Sequence, residues 1–321
     1  MVLFDPIIFE LQGGGGITVY FKNILSRINE SYGDSLILDV SRKRIFKRYR
    51  DCEVNVDKGV FHSSYYRLPK NRKIKVVTTV HDFTYEKYIT GPKRWVHCWQ
   101  KYRAIRNSDI VICVSNNTAK DLMSYCPIDP DKIRVIHNGV SDSYHPLPMS
   151  KSPTKEVLFV GSRVGYKNFY LAIDTLAKLP GYSLSIVGGG ALSEEEKTYL
   201  DSLIPGRYKW LGRLSDKELN LAYNRAHALL YPSSYEGFGI PVIEAMRAGC
   251  PVVAVNCSSI PEVAGDAAIL IENADADLFT EALLKVSNTR EELINAGLEQ
   301  AAKFSWDKCF QETLQVYEEL M

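Results

Sequence analysis

Glu236 and Glu244 stand eight positions apart in SYEGFGIPVIEAMRAG (Ser234–Gly249), around a turn bounded by Gly237 and Gly239. The two glycines leave the backbone bare, and Pro241 suits the first helical position, where a missing N–H costs nothing. Ile240, Pro241 and Val242 then open a helix whose unpaired amides and positive dipole end favour an anion. Glu236 before the turn and Glu244 about one helical turn in can face one cleft beside a bound phosphate. A plainer reading stays open: an early helical Glu often only complements the dipole, and Gly-Phe-Gly is a tight loop.

Upstream, Arg163 and Lys167 lie in FVGSRVGYKN, just past an apolar run. Two cations at a strand end are costly to bury without an anion. A diphosphate suits them, Arg as a bidentate fork and Lys as a point charge. The helix end at Gly239 then adds a third positive feature about one phosphate pair. Exposure of both on a solvated loop is the alternative. His81 and Asp82 follow the run Lys75–Val80, either as a hydrogen-bonded pair or as core packing.

Metal ligation is not expected. DPD (Asp129–Asp131) reads as a turn and DAD (Asp275–Asp277) as a helix cap. His62, His97, His137, His145 and His227 show no ligand spacing.

These residues need rigid elements behind them. Short β-branched runs alternate with amphipathic stretches along all 321 residues, a length that suits two domains. Strands are expected at Ser35–Val40, Lys75–Val80, Asp109–Val114 and Lys132–Ile136, then at Glu156–Val160, Ser183–Val187, Ala228–Tyr231, Val252–Val255 and Ala268–Ile271. Helices are expected between them, for instance Ile17–Glu30, Tyr170–Leu179 and Asp216–Ala226. Strand–helix alternation with near-continuous apolar strands predicts an α/β fold of two Rossmann-like, doubly wound parallel sheets facing a cleft. HPLPMSKSP (His145–Pro153) reads as the linker, giving domains 1–148 and 149–302 and a closing helix, 303–321, packed back toward the first domain. The glycines fall at expected strand ends, above all Gly13, Gly14, Gly15 and Gly16, where the backbone can approach a ligand closely. Neither G-x-G-x-x-G nor GK[ST] occurs, which counts against dinucleotide redox and ATP-driven chemistry.

Composition is that of a soluble globular protein, 45% hydrophobic and 24% charged, without an apolar run long enough to span a bilayer. The start, MVLFDPIIFE, lacks a basic leader and reads as no signal peptide. Seven cysteines without a CxxC pair favour reduced thiols and a cytoplasmic setting. The formal net charge of +1 hides a division, +8 over residues 1–150 and −7 over 151–321. The excess lies in RKRIFKRYR (Arg42–Arg50) and KNRKIK (Lys70–Lys75). It suits an anionic partner or simply solvated loops.

PKRWVHCWQKYRAIR (Pro92–Arg106) sets Trp95, Trp99 and Tyr102 on one helical face among five basic residues. That face either packs inside the first domain, the reading we favour, or lies on an anionic bilayer.

Together these motifs resemble the retaining glycosyltransferases of family 4, with their two-domain GT-B architecture. The resemblance rests on GGGGITVY, VHDF (Val80–Phe83), DIVICVS, HNGV (His137–Val140), FVGSRVGYKN and LGRLSDKEL. YPSSYEGFGIPVIEAMRAGCPVVA, SSIPEVAGDAA and FSWDKCFQETLQVYEEL complete it. It implies that Arg163 and Lys167 hold a donor diphosphate, that Glu236 lies near the transferred sugar, and that Glu244 meets the donor ribose. It further implies that Phe238, Gly239 and Ile240 contact sugar and phosphate and that Leu211–Leu214 border the nucleobase. His81 falls on the sugar side and Gly14 to Gly16 under the donor phosphates or acceptor. The catalytic set is then Glu236, His81, Arg163 and Lys167.

The implied activity is a metal-independent, retaining hexosyl transfer without a cofactor, from a nucleoside-diphosphate sugar that is itself a substrate. GDP-mannose is the favoured donor. The acceptor is a glycan or polyprenyl-diphosphate-linked oligosaccharide in surface polysaccharide or lipopolysaccharide synthesis. The setting is cytoplasmic, with peripheral contact to the anionic inner face of the membrane, and no nucleic acid is involved. A sugar-nucleotide epimerase or hydrolase on the same scaffold, or a non-catalytic assembly subunit, are the alternatives. Donor base, sugar, linkage and oligomeric state are not legible in these motifs.

Overall fold

The computed structural model describes residues 1–31, 35–37, 47–148 and 155–321. Two compact units emerge: Met1–Gly139 with Trp306–Met321, and Val140–Ser305. The division falls at Gly139/Val140 rather than in the proline-rich segment. Of that segment, 149–153 lie outside the described residues, while the His145 and Leu147 N–H groups donate to Asn220 and Asn224 of the second unit.

The first unit's sheet contains β1 (Val2–Asp5), β2 (Ser35–Ile37), β3 (Val60–Ser63), β4 (Lys75–Val80), β5 (Ile110–Cys113) and β6 (Ile133–Val135). Their spatial order is β2-β1-β3-β4-β5-β6, every pairing parallel. β1, β3 and β5 are buried throughout and β4 beyond Lys75, as a parallel sheet covered on both faces requires. Residues 38–40, the end of one expected strand, lie outside the described residues, as do Arg42–Phe46 of the basic run.

The second sheet contains β7 (Glu156–Val160), β8 (Ser183–Val187), β9 (Tyr208–Gly212), β10 (Ala228–Tyr231), β11 (Val252–Val255) and β12 (Ile269–Ile271). Its order is β12-β11-β10-β7-β8-β9, again all parallel. The chain starts in the middle, winds outward to β9, then returns to β10 on the other side of β7. Loops leaving β7 and β10 therefore part in opposite directions, which opens a crevice at their carboxyl ends. β9 is the edge strand, with Trp210 43% exposed, and its sequence alone gave no strand signal.

The helix Trp306–Leu320 belongs to the first unit. Trp306, Phe310, Leu314 and Tyr317 share a core cluster with Tyr20, Phe21 and Ile24 of the Gly16–Ser31 helix. Within that core the fully buried His62 ring is held at both nitrogens, by the Tyr317 hydroxyl at 2.6 Å and the Thr79 hydroxyl at 2.8 Å. Burial, with the neighbouring His81 adding to it, pushes the His62 pKa down to about 3, so the ring is neutral at physiological pH.

The aromatic helix overturns the packing expectation. Pro92–Arg106 is helical, but it buries His97, Gln100, Lys101, Ala104 and Ile105. Trp95 and Trp99 point outward, 74% and 60% exposed. The buried side is held by polar contacts instead. Lys101 Nζ lies 3.1 Å from the equally buried Glu86 carboxylate and donates to the Asp82 carbonyl at 2.6 Å, while His97 stacks on Tyr85.

Tyr317→Phe leaves one buried His62 nitrogen without its partner, which costs on the order of 1–3 kcal/mol. Urea unfolding followed by near-UV circular dichroism should show that loss. An unchanged midpoint would mean the hydroxyl contributes nothing to holding the closing helix.

Candidate functional site

In the second unit the loops after β7 and β10 bring together two of the residues that the sequence singled out, Lys167 and Glu236. Lys167 ends the short turn Gly165–Lys167 after β7, and Glu236 lies in the loop after β10. Their side chains meet, with Lys167 Nζ 2.5 Å from Glu236 Oε1 and both largely buried. The two loops are sewn together beneath them. The Ser234 N–H donates to the Tyr166 carbonyl at 2.8 Å, and Asn168 Nδ2 donates to the Pro232 carbonyl and the Ser234 hydroxyl. Asn168 does so from a left-handed conformation, φ 51°, which Asn tolerates better than most residues. Tyr166 and Tyr231 set ring faces 5.3 and 5.7 Å from the ammonium.

A second segment fixes the Glu236 loop from the far side. The Glu236 N–H donates to Ser258 Oγ at 2.9 Å, and the buried Ser259 hydroxyl reaches the Glu236 and Phe238 carbonyls at 2.9 and 3.0 Å. Phe238 is buried edge-on against Phe304. Gly239 takes φ 97° and precedes the helix Ile240–Arg247, with Pro241 in its first turn and no side-chain cap. That conformation is costly for any residue with a Cβ. The result is a helix end whose dipole points out of the loop that carries Glu236.

Glu244 sits one turn into this helix. The Tyr223 hydroxyl donates to its Oε2 at 3.2 Å and also lies 3.4 Å from the Pro241 carbonyl. Tyr144 packs edge-on to Tyr223 and donates to Asp216 at 3.3 Å. The residue keeps some solvent contact, but its carboxyl is enclosed by protein. Burial pushes its pKa up to about 7, aided by nearby Asp216 and opposed by the tyrosine hydroxyls.

Arg163 differs from expectation. Its Nε donates to Glu196 at 2.8 Å, and its two terminal nitrogens donate to the carbonyls of Gly188, Gly190 and Ala191 at 2.8–3.2 Å. All its N–H groups are thus turned to the protein's own acceptors, which hold the glycine loop after β8. Glu196 doubles as the capping-box residue of the Glu194–Leu203 helix. Leu214 is half-buried between β9 and the Asp216–Arg225 helix.

The remaining predicted residues belong to the first unit. Gly14 and Gly15 follow the short Ile8–Leu11 helix after β1 and Gly16 opens the Gly16–Ser31 helix, with Gly15 at φ 140°. His81 follows β4, packed edge-on against Tyr20, its buried Nε2 without a hydrogen-bond partner. Burial lowers its pKa to about 4, Asp82 opposing the shift and Lys101 assisting it. Asp129 and Asp275 both accept backbone N–H bonds as caps. Among the described residues, no group of three His, Cys, Asp or Glu is placed to hold a metal ion.

Sequence reasoning missed Tyr223, Tyr144 and Asp216 around Glu244, and Glu196 opposite Arg163. Asp216 and Glu196 carried a signal only as helix starts, and the tyrosines carried none.

Comparison with known proteins bears on family and fold. The family model described as glycosyl transferases group 1 matches residues 146–303, and that of Glycosyltransferase Family 4 matches 38–144. The O-antigen chain mannosyltransferase B of Escherichia coli is 29% identical over 283 residues, 80% of this chain and 74% of that protein. Among solved structures, WaaG, a glycosyltransferase involved in lipopolysaccharide biosynthesis, superposes with a TM-score of 0.75 at 18% identity over 99% of both chains. Anabaena Alr3699/HepE, in complex with UDP-glucose, does so with 0.74 at 15% identity, again over 99% of both. These two likenesses establish the fold.

The raised Glu244 pKa has a measurable consequence. Between pH 4.5 and about 7 the folded protein keeps a proton that the unfolded chain releases. The stabilisation is therefore complete below pH 4.5 and is lost as pH rises through about 7. It amounts to no more than about 3 kcal/mol. Relative to Glu244→Gln, the wild-type unfolding free energy should fall across that window. Parallel pH profiles for the two proteins would show that the carboxyl ionises normally.

Proposed function

This chain belongs to glycosyltransferase family 4 and has the GT-B fold, and from that premise we propose that it transfers a hexose from a nucleoside-diphosphate sugar with retention of configuration. The observation that carries the reading is the Lys167–Glu236 pair at the head of the β7/β10 crevice, beside the uncapped Ile240–Arg247 helix. A leaving diphosphate gains negative charge as the glycosidic bond breaks. A fixed ammonium and a helix end stabilise that charge more in the transition state than in the ground state, which is what lowers the barrier.

Lys167 supplies the point charge on the diphosphate. Arg163 reaches the same phosphates only by exchanging Glu196 and the loop carbonyls for them. Glu236 is the carboxylate nearest the transferred sugar, and Glu244, backed by Tyr223, faces the ribose hydroxyls. Phe238, Gly239 and Ile240 present backbone to sugar and phosphate, and Leu214 borders the base. In this reading neutral His81 is assigned to the sugar and Gly14 to Gly16 to the donor phosphates or acceptor, as the resemblance implies. The acceptor hydroxyl attacks from the face that the diphosphate vacates, and the departing phosphate takes its proton. That route needs neither metal nor cofactor. The relative named O-antigen chain mannosyltransferase B supports mannose as the sugar and a growing surface glycan as acceptor; GDP as the donor's nucleotide and a lipid anchor on the acceptor are this proposal's own. The work is done at the cytoplasmic side of the membrane.

GDP, UDP, dTDP and ADP sugars offered to wild type, Lys167→Ala and Glu236→Gln test the reading through nucleoside diphosphate release and product anomer. One donor should be selected, with turnover lowered by roughly 10²–10³ in Lys167→Ala and the anomer retained. Failure to bind any donor would overturn the proposal. Release at full rate without any acceptor would instead mark a hydrolase.

A further inference from the structure

The Pro92–Arg106 helix is built inside out. Its protein-facing side carries His97, Gln100 and Lys101 before Ala104 and Ile105 in the last turn, and its solvent side carries Trp95, Val96 and Trp99, exposed by 74%, 45% and 60%. Ordinary burial would reverse this, because indoles gain most from leaving water and a lysine loses most. Here the chain invests a buried Lys101–Glu86 pair to hold the opposite orientation. Two Trp four residues apart form one stripe that continues through Tyr102 to the exposed Arg106. Lys93 is exposed at the start of the helix, and no acidic residue occurs anywhere in it. Arg103 is held against Asp51 by two charge-assisted bonds, 2.8 and 2.7 Å, and leans over Trp99, which braces that indole on the surface.

We propose that this face seats on an anionic lipid bilayer, the Trp95 and Trp99 indoles at the level of the headgroups and Lys93 and Arg106 against lipid phosphates. Indoles suit that boundary because one edge is apolar and the N–H can stay wet. The charges distinguish a bilayer from a second copy of the chain. A symmetric dimer through this face would set the same basic residues against each other. An anionic surface complements them, at about a fivefold gain in binding for each cation brought to it. Among the described residues no helix is long and apolar enough to cross a membrane, so the contact proposed is one of lying on the surface.

Sedimentation with vesicles tests this without any turnover, so its outcome is independent of the donor assignment. Full-length protein should sediment with vesicles of equal parts phosphatidylglycerol and phosphatidylcholine, and far less with phosphatidylcholine alone. The double variant Trp95→Ala/Trp99→Ala should lose roughly tenfold or more of that binding. Lys93→Glu/Arg106→Glu should lose it on anionic vesicles only. In a Trp210→Phe background, tryptophan emission should shift to the blue and be quenched by lipids brominated on their acyl chains. Both tryptophans are exposed, so far-UV circular dichroism of the double variant should match wild type. Equal sedimentation of wild type and double variant would overturn the proposal, and so would absence of wild-type binding. A wild-type dimer that the double variant abolishes, without vesicle binding, would assign the face to a second copy instead.

Discussion

An ammonium and a carboxylate, Lys167 and Glu236, meet across the seam between β7 and β10, and the rest of the second unit serves to hold them there. They come from loops 69 residues apart in sequence, so only the sheet order can bring them together. Reversal of winding at β7 makes β10 its neighbour, and the Ser234–Tyr166 and Asn168–Pro232 bonds convert that adjacency into a fixed distance. Ser258 and Ser259 fasten the same loop from β11's side. A loop pinned on both flanks loses little further entropy when a ligand arrives, which is the physical content of preorganisation.

The first unit uses the corresponding place differently. Its sheet reverses between β1 and β3, and there the buried Asp5 carboxylate takes Arg67 at 2.8 Å, with the Ser63 hydroxyl donating to its other oxygen. Arg67 also donates to the Arg50 carbonyl at 2.9 Å. The carboxyl end of β1 thus carries a buried ion pair of the protein's own. Burial raises the Asp5 pKa even against that arginine, a sign that desolvation is the larger effect here. The same topology therefore carries a buried Asp5–Arg67 pair in one unit and the Lys167–Glu236 pair in the other, and the side chains decide which.

Much of this was legible in order along the chain. The turn from Ser234 to Gly249 could be read because glycine, proline and glutamate each have one local reason to stand where they do. β7, β8, β10 and β11 could be read because buried parallel strands are continuous apolar runs. β9 and β3 could not: one is an exposed edge, and the other carries His62, whose partners Tyr317 and Thr79 are remote in sequence. Arg163 shows the same limit. As a residue type beside a strand end it fits a phosphate, but Glu196 and three carbonyls from another loop claim its donors. The outward Trp pair could not be foreseen either, since amphipathic spacing shows that a helix has two faces without saying which one the core takes.

The charge division adds a final constraint. The half of the chain that carries the Lys167 site is net −7, and the other half is net +8. On the proposed reading, the net charge of its own half of the chain is therefore not what draws a diphosphate to the Lys167 site. Attraction must come from within a few ångströms, where a single ammonium in a partly enclosed site outweighs scattered surface carboxylates that salt screens over about 10 Å. This explains why the site is made of short loops, a lone lysine and a helix end rather than a basic patch. The broad positive field of the first half is free for a target that is itself broad and negative, where many weak contacts act together. On the two proposals together, one chain separates two kinds of anion recognition by length scale, a pinned pair for a small ligand and a basic, tryptophan-bearing helix face for an extended surface.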